Sequence, residues 1–368
     1  MRVLQVAWEY PPRLFGGLGR HVEGLSAALA ADGVDVTVLT PASSEPDPPA
    51  PDRLRVLRAA APPELLPEDR WLADVLDANI AMAERALTSD VAVDVLHVHD
   101  WMAGHAARVL ARAMGVPVVA TVHATERGRH QGHLPPGISA WIDAQERALV
   151  GLADRVVVCS TPMVEAVTDW LGAPAADVIP NGVDPARWQP PGVRRRHDRV
   201  VVAGRLEYEK GAQVLMAATE DLPLDVRIAG RGSHGPALRR EAHDRVRFEG
   251  HLPQPALARL LASATIVVVP SLYEPFGLAA LEGMAAGTPV VVSDVGGLRD
   301  LVPDGVGLRV PPDDPTALRS ALRRLLVDRP LRERLARAGL ARAEELSWPA
   351  TARRYRNVYT AVAPGRGG

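Results

Sequence analysis

Residues 264–294 read ATIVVVPSLYEPFGLAALEGMAAGTPVVVSD. The β-branched run Ile266–Val269 meets a Pro-containing turn, then an Ala/Leu/Gly-rich stretch, then a second apolar run, Val290–Val292. Two short apolar runs separated by a helical stretch predict parallel strands joined by a crossover helix, in a sheet buried on both faces. Pro275 suits the first helical position, leaving the amides of Phe276, Gly277 and Leu278 free to meet a ligand. Glu274 precedes that helix and Glu282 lies within it. Open parallel sheets bind ligands at the carboxyl ends of their strands, where Glu274 falls.

The same alternation extends in both directions. RVLQVAW, DVTVLT, DVLHVH, PVVATV and RVVVCS form one strand series, and RVVVAG, LDVRIAG, ATIVVVPS and PVVVSD a second, with Ala/Leu/Arg-rich helical stretches between them. Two series predict an α/β protein of two doubly wound units. Between them IPNGVDPARWQPPGVRRRHD interrupts the periodicity and places a boundary near residues 180–198. PASSEPDPPAPD, residues 41–52, reads as a surface loop of the first unit because alternation resumes after it. Ser347 caps a last helix with Pro349 in its first turn, followed by a PGRGG tail expected to be disordered.

A chain of 368 residues accommodates about two domains with large cores. Forty-two basic against 44 acidic residues give a net charge of −2, so no basic footprint for nucleic acid or an anionic membrane exists. Cys159 is the single cysteine, which excludes an intrachain disulfide and any multi-cysteine metal site; within RVVVCS it reads as an inert core thiol. No apolar run approaches the ~18 residues that span a bilayer, and MRVLQVAWEY lacks an export-signal pattern, so a cytoplasmic protein with no integral membrane segment is expected. There is one lysine, Lys210, against 41 arginines. Compositional bias accounts for the arginines, but not for where the lysine falls.

It falls in VVVAGRLEYEKGAQVL, with Arg205 just past a strand and Lys210 at the start of the next helix. Two cations on a strand-to-helix turn, aided by the helix dipole, suit a diphosphate, although either could instead pair with Glu207 or Glu209. Carboxylates beside such a site repel phosphate, so Glu274 and Glu282 are expected to address sugar and ribose hydroxyls. No Asp-x-Asp occurs to hold a metal against a diphosphate. In the first unit WEYPPRLFGGLGRH sets Gly16, Gly17 and Gly19 before an amphipathic helix, where backbone amides approach a ligand closely. LHVHDW and TVHATERGRHQGHLP place His97, His99, Asp100, Trp101, His123, His130 and His133 at and beyond strand ends, with His105 following the first of them. Six of the 11 histidines lie in this stretch, yet no zinc-hydrolase spacing is recognisable, and no metal ligand set is assigned. A sugar-binding reading is at least as economical, because His, Asp and Trp hydrogen-bond and stack on hydroxylated ligands.

Taken together, GGLG, HVHDW, TVHAT, GRLEYEKG and YEPFGLAALEGMAAGTPVV resemble the retaining nucleotide-sugar glycosyltransferases of family 4 and the glycogen and starch synthases close to them. The resemblance covers nearly the whole chain. It implies a GT-B fold, two Rossmann-like domains facing a central cleft: residues 1–185 on the acceptor side, 186–346 binding the nucleotide sugar, and 347–368 carrying a helix back to the first domain. It implies that Arg205 and Lys210 grip the diphosphate and that Glu282 takes the ribose. Glu274 with the Phe276, Gly277 and Leu278 backbone would hold the donor sugar, His123 would contact that sugar, and Gly17 the phosphates. Glu9, Asp100 and Trp101 would lie on the acceptor side, with Asp100 and His123 counted among the catalytic groups. No cofactor is implied beyond the nucleotide diphosphate sugar as co-substrate; the partners are that donor and a carbohydrate or other hydroxyl acceptor, with an α-glucan and a glucose donor foremost and another acceptor, or a mannose or GlcNAc donor, as the alternative within the family. Glycogen synthases commonly carry a Lys in the segment before the first glycine pair, where this chain has Arg13 and Phe15. A non-catalytic two-unit sugar-binding protein, or an epimerase or phosphorylase on the same fold, remains open at this point.

Overall fold

The computed structural model describes residues 1–59 and 71–363; the PGRGG tail lies outside them. The chain divides into two compact units, one running to Gly182 and resuming at Trp348, the other spanning Val183–Ser347. The division expected at 185/186 lies three residues beyond the one observed. Among the described residues no helix is long and apolar enough to cross a membrane.

The first unit is a seven-stranded parallel sheet of β1 (Arg2–Ala7), β2 (Asp35–Pro41), β3 (Leu54–Ala59), β4 (Val95–His99), β5 (Val118–Val122), β6 (Arg155–Val158) and β7 (Asp177–Val178), in the order β3-β2-β1-β4-β5-β6-β7. Strand parity sorts its core. Val3, Val36 and Val38 face the helix Gly17–Ala31, whose Val22, Leu25 and Leu29 are fully buried, while Leu4, Val6, Leu96 and Val98 turn to the opposite layer with Leu110 and Leu149. Cys159 is buried at the end of β6, as its setting predicts.

The second unit is a six-stranded parallel sheet of β8 (Arg199–Ala203), β9 (Asp225–Ala229), β10 (Val246–Gly250), β11 (Ile266–Val269), β12 (Val290–Ser293) and β13 (Leu308–Val310), in the order β10-β9-β8-β11-β12-β13. Val200, Val202, Ile228, Ile266 and Val268 build one of its core layers with Leu215, Leu318 and Leu322. In both sheets the strand order reverses once, between β1 and β4 and between β8 and β11. The crevice outside the carboxyl ends at such a reversal is where open α/β sheets take their ligands.

The terminal helix Trp348–Val362 belongs to the first unit and packs on the helix Gly17–Ala31. The approach is close enough that a Cβ on Gly24 would meet the Trp348 indole at 2.2 Å, so only glycine fits there. Thr351 Oγ1 donates to the Pro180 carbonyl at 3.0 Å. Tyr355 and Tyr359 are fully buried and bring polar ends into the core. Tyr359 OH lies 2.7 Å from His97 Nδ1, His97 Nε2 lies 2.7 Å from Thr121 Oγ1, and Thr121 Oγ1 lies 3.0 Å from Tyr355 OH. Tyr359→Phe strands the His97 nitrogen, and its expected cost in equilibrium unfolding is ~1–3 kcal/mol; an unchanged unfolding midpoint would show that this bond contributes nothing.

Candidate active site

Each unit gathers its chemically rich side chains at the reversal of its own sheet. In the second unit, β8 ends at Ala203 and the chain passes through Arg205 and a 3-10 turn, Tyr208–Lys210, to Gly211 at φ +71° and the helix Ala212–Thr219. β11 ends at Val269, and Pro270–Gly277 lead to the helix Leu278–Ala285. The two loops meet backbone to backbone: the Leu272 amide donates to the Glu209 carbonyl at 2.7 Å, and a Cβ on Gly211 would lie 1.9 Å from the Pro270 carbonyl oxygen. This contact sets Lys210 Nζ 3.0 Å from Glu274 Oε2 across 64 residues of sequence. Ser271 Oγ donates to the same carboxylate oxygen at 3.2 Å.

Arg205 pairs with Glu209 at 3.3 Å and is 39% exposed, so the pair contributes little, ~0–1 kcal/mol, to stability. Glu207 instead accepts from the amide and hydroxyl of Ser233. The Glu274 loop is braced from a third side. Gly297 donates its amide to the Glu274 carbonyl at 2.9 Å, and a Cβ on Gly296 would meet that carbonyl at 2.2 Å.

Pro275 does not open the helix, contrary to the expectation from its position in the sequence; the helix starts at Leu278, after Gly277 at φ +109°. A residue at that φ cannot continue a right-handed helix. Ala280 donates the first intrahelical bond, to the Gly277 carbonyl, so the amides of Leu278 and Ala279 form the open end of the helix. Phe276 packs inward at 6% exposure, and Glu282 is equally buried one turn into the helix.

In the first unit Glu9 follows β1, but its Oε2 accepts from the amides of Phe15, Gly16 and Gly19 at 3.0, 3.0 and 3.3 Å. The carboxylate thus fills the amide-lined entry to the helix Gly17–Ala31, whose first residue, Gly17, is exposed. Beside it Arg13 stacks on Trp8 at 4.6 Å and on Phe15 at 5.2 Å, and its Nη1 is buried without a hydrogen-bond partner among the described residues.

Asp100, just beyond β4, adopts φ +58° and ψ 170°, a region almost confined to glycine and one that marks functional sites. Its Oδ1 accepts the His123 amide at 2.7 Å, tying the end of β4 to the end of β5. Burial pushes the Asp100 carboxyl up to about 7, and that of Glu146, which accepts the Glu126 amide, up to about 8. Trp101 stands edge-to-face against Trp71 and Trp141 at 5.8 and 5.6 Å.

The histidine-rich stretch disperses on folding. His105 lies beside Trp141 and His130 pairs with Glu126, whereas His99 Nδ1 and His123 Nε2 approach to 3.2 Å. The ring that joins them is His21, from the first helix, which no sequence motif singled out. The signal was its spacing of four residues from Leu25 and eight from Leu29, which puts a polar ring on the buried face. Asn181 and Gly211 carry no such signal, because their roles are contacts with segments remote in sequence.

Two family models match the chain: Glycosyltransferase Family 4 over residues 15–187 and Glycosyl transferases group 1 over residues 189–342. The chain is 39% identical to a glycogen synthase of Mycobacterium tuberculosis, over 99% of this chain and 96% of that protein. It is 33% identical to a D-inositol 3-phosphate glycosyltransferase of Xylanimonas cellulosilytica, over 95% and 93% of the two chains. Its fold is similar to that of a sucrose-phosphate synthase from Thermosynechococcus elongatus, with a TM-score of 0.84, 28% identity and coverage of 98% and 99%.

Proposed function

The chain belongs to glycosyltransferase family 4, with the GT-B fold, and from that premise we propose that it moves glucose from a nucleotide diphosphate sugar to a hydroxyl of an α-glucan, with retention and without a metal in the transfer step. The observation that carries this reading is the Lys210–Glu274 pair, a semi-buried cation and carboxylate held together at the β8/β11 reversal.

The proposed chemistry follows from that pair. A diphosphate brings more negative charge to Lys210 than one carboxylate does, so donor binding draws Nζ toward phosphate and frees Glu274 for the sugar hydroxyls. Arg205, itself 39% exposed, needs only to leave Glu209 to join it. The open amides of the helix Leu278–Ala285 add a positive end for the donor, and Glu282 takes the ribose. As the glycosidic bond breaks, charge grows on the leaving diphosphate, and fixed cations there contribute ~3–4 kcal/mol per donor. The acceptor hydroxyl attacks the same face of the oxocarbenium-like carbon, which retains the α configuration, while the hydroxyl proton passes to the departing diphosphate oxygen. In the first unit His123 contacts the donor sugar and Gly17 the phosphates, while Asp100 and Trp101 serve the acceptor side. Glu9, with Oε2 spent on three amides, serves by shaping that loop.

A second acceptor class has an observation of its own. The relatives include enzymes named for D-inositol 3-phosphate and for α-maltose 1-phosphate, and Arg13 Nη1, unpartnered among the described residues, suits an anionic acceptor group. UDP-, ADP- and GDP-sugars assayed against glycogen, maltooligosaccharides and sugar phosphates decide between them. Elongated glucan from a glucose donor is the expected product. A product formed only from a phosphorylated monosaccharide replaces the glucan reading, and one formed only from GDP-mannose overturns the choice of glucose.

A further inference from the structure

His21, His99 and His123 present one ring nitrogen each within 4.8 Å of one another, drawn from the first helix, the end of β4 and the end of β5. His21 and His99 are 1% and 0% exposed. His21 Nδ1 lies 2.7 Å from Asn181 Oδ1, an atom that only accepts, so Nδ1 carries the proton and Nε2 the lone pair. That Nε2 is buried and has no hydrogen-bond partner among the described residues. Ring contacts with Tyr355 and Trp348, both at 5.8 Å, pack the His21 ring but do not satisfy a nitrogen lone pair. Burial holds all three rings well below the ordinary imidazole range, in the neutral form that ligates metals.

The geometry is that of a partly assembled metal site. His99 Nδ1 and His123 Nε2, at 3.2 Å, already match the edge of a tetrahedron with metal–nitrogen bonds of ~2.0–2.1 Å. We propose that His21, His99 and His123 form a three-nitrogen site for a late first-row divalent cation, Zn²⁺ first, with Asn181 as the outer partner that orients His21. An all-imidazole set suits Zn²⁺, Ni²⁺ or Cu²⁺ and not Mg²⁺ or Ca²⁺. His21 moves inward to close the set, and the fourth position stays open. Because His123 is also the residue assigned above to the donor sugar, the ion competes with the sugar and acts as an inhibitor; this consequence, unlike the binding itself, rests on the functional reading.

The test uses the full chain, stripped with EDTA and then freed of chelator. Titration with Co²⁺ is expected to produce the visible bands of a four-coordinate ion at one equivalent, displaced by Zn²⁺, with Zn²⁺ affinity read by calorimetry. His21→Gln is expected to weaken Zn²⁺ by ~100-fold or more, and Asn181→Ala by the ~10–100-fold of an outer-shell change. His105→Ala is expected to leave affinity unchanged. Absence of stoichiometric binding, or unchanged affinity in a folded His21→Gln, overturns the site. If His21→Gln fails to fold, His123→Gln, at a half-buried position, carries the same expectation. Zn²⁺ is further expected to inhibit transfer, reversibly with EDTA. Full transfer with the triad loaded would retain the site and remove His123 from the donor, whereas a wild-type chain with no transfer at all would overturn the functional reading and leave the Co²⁺ result standing.

Discussion

Lys210→Ala is expected to lower kcat for hexosyl transfer by about 10²–10³-fold, the loss that follows when one fixed charge facing a leaving oxyanion is removed. The fold survives, because Lys210 lies outside the hydrophobic core and its neighbours in the turn keep their backbone bonds. Some stability is still lost. Glu274, 14% exposed, keeps Ser271 but loses its cation, a cost of ~1–3 kcal/mol for a charge left short of a partner. Circular dichroism and a steady-state assay separate the two effects. Near-normal kcat in a folded variant would remove Lys210 from the mechanism. Lys210→Arg is the sharper form of the experiment. Arginine keeps the charge but replaces a compact ammonium with a planar fork that grips Glu274 through two bonds. The carboxylate then stays bound when the donor arrives, and the expected result is a reduced kcat in a chain that uses arginine for its other 41 basic side chains.

Gly211→Ala is expected to damage both stability and activity. At φ +71° any Cβ costs ~1–2 kcal/mol, and here it would also lie 1.9 Å from the Pro270 carbonyl oxygen, a backbone atom with no rotamer to escape into. The β8 and β11 loops must separate, which opens the Leu272–Glu209 bond and draws Lys210 from Glu274. A loss of about 3 kcal/mol or more in unfolding free energy is expected, with reduced transfer even where the chain remains folded. Gly115→Ala is the control: Gly115 has φ +63°, and an added methyl there would meet nothing within 4 Å, so only the conformational cost applies. Equal losses in the two variants would show that the loop contact does not position the pair.

Much of the fold was legible because central parallel strands are apolar on both faces, and RVLQVA, VVATV, IVVV and VVVS read as strands at sight. The four strands that escaped are β3, β7, β10 and β13, which are the edges of the two sheets. An edge strand is half solvated, so LRVLRA, VRFEG and LRV admit charged residues that break the apolar run, and β7 is only two residues long. The site divides along similar lines. Arg205, Asp100 and His123 were readable as candidates because each lies just past a recognisable strand, and Lys210 and Glu274 because they stand in the loops that lead from such strands to the next helix, where α/β sheets hold ligands.

By itself, then, the sequence determined the two-sheet architecture, the pole of each sheet at which chemistry collects, and the lone lysine as a candidate for that chemistry. Periodicity and strand-end position are local properties of the chain. Only the tertiary structure decided the partners: Lys210 with Glu274, Glu9 with three loop amides, Asp100 with the His123 amide, and His21 with His99 and His123. The long-range pairings among these depend on which strands become neighbours in each sheet and on how closely two backbones approach. Close approach of this kind is set by glycines such as Gly211 and Gly24, whose missing side chains leave no periodic trace in the sequence.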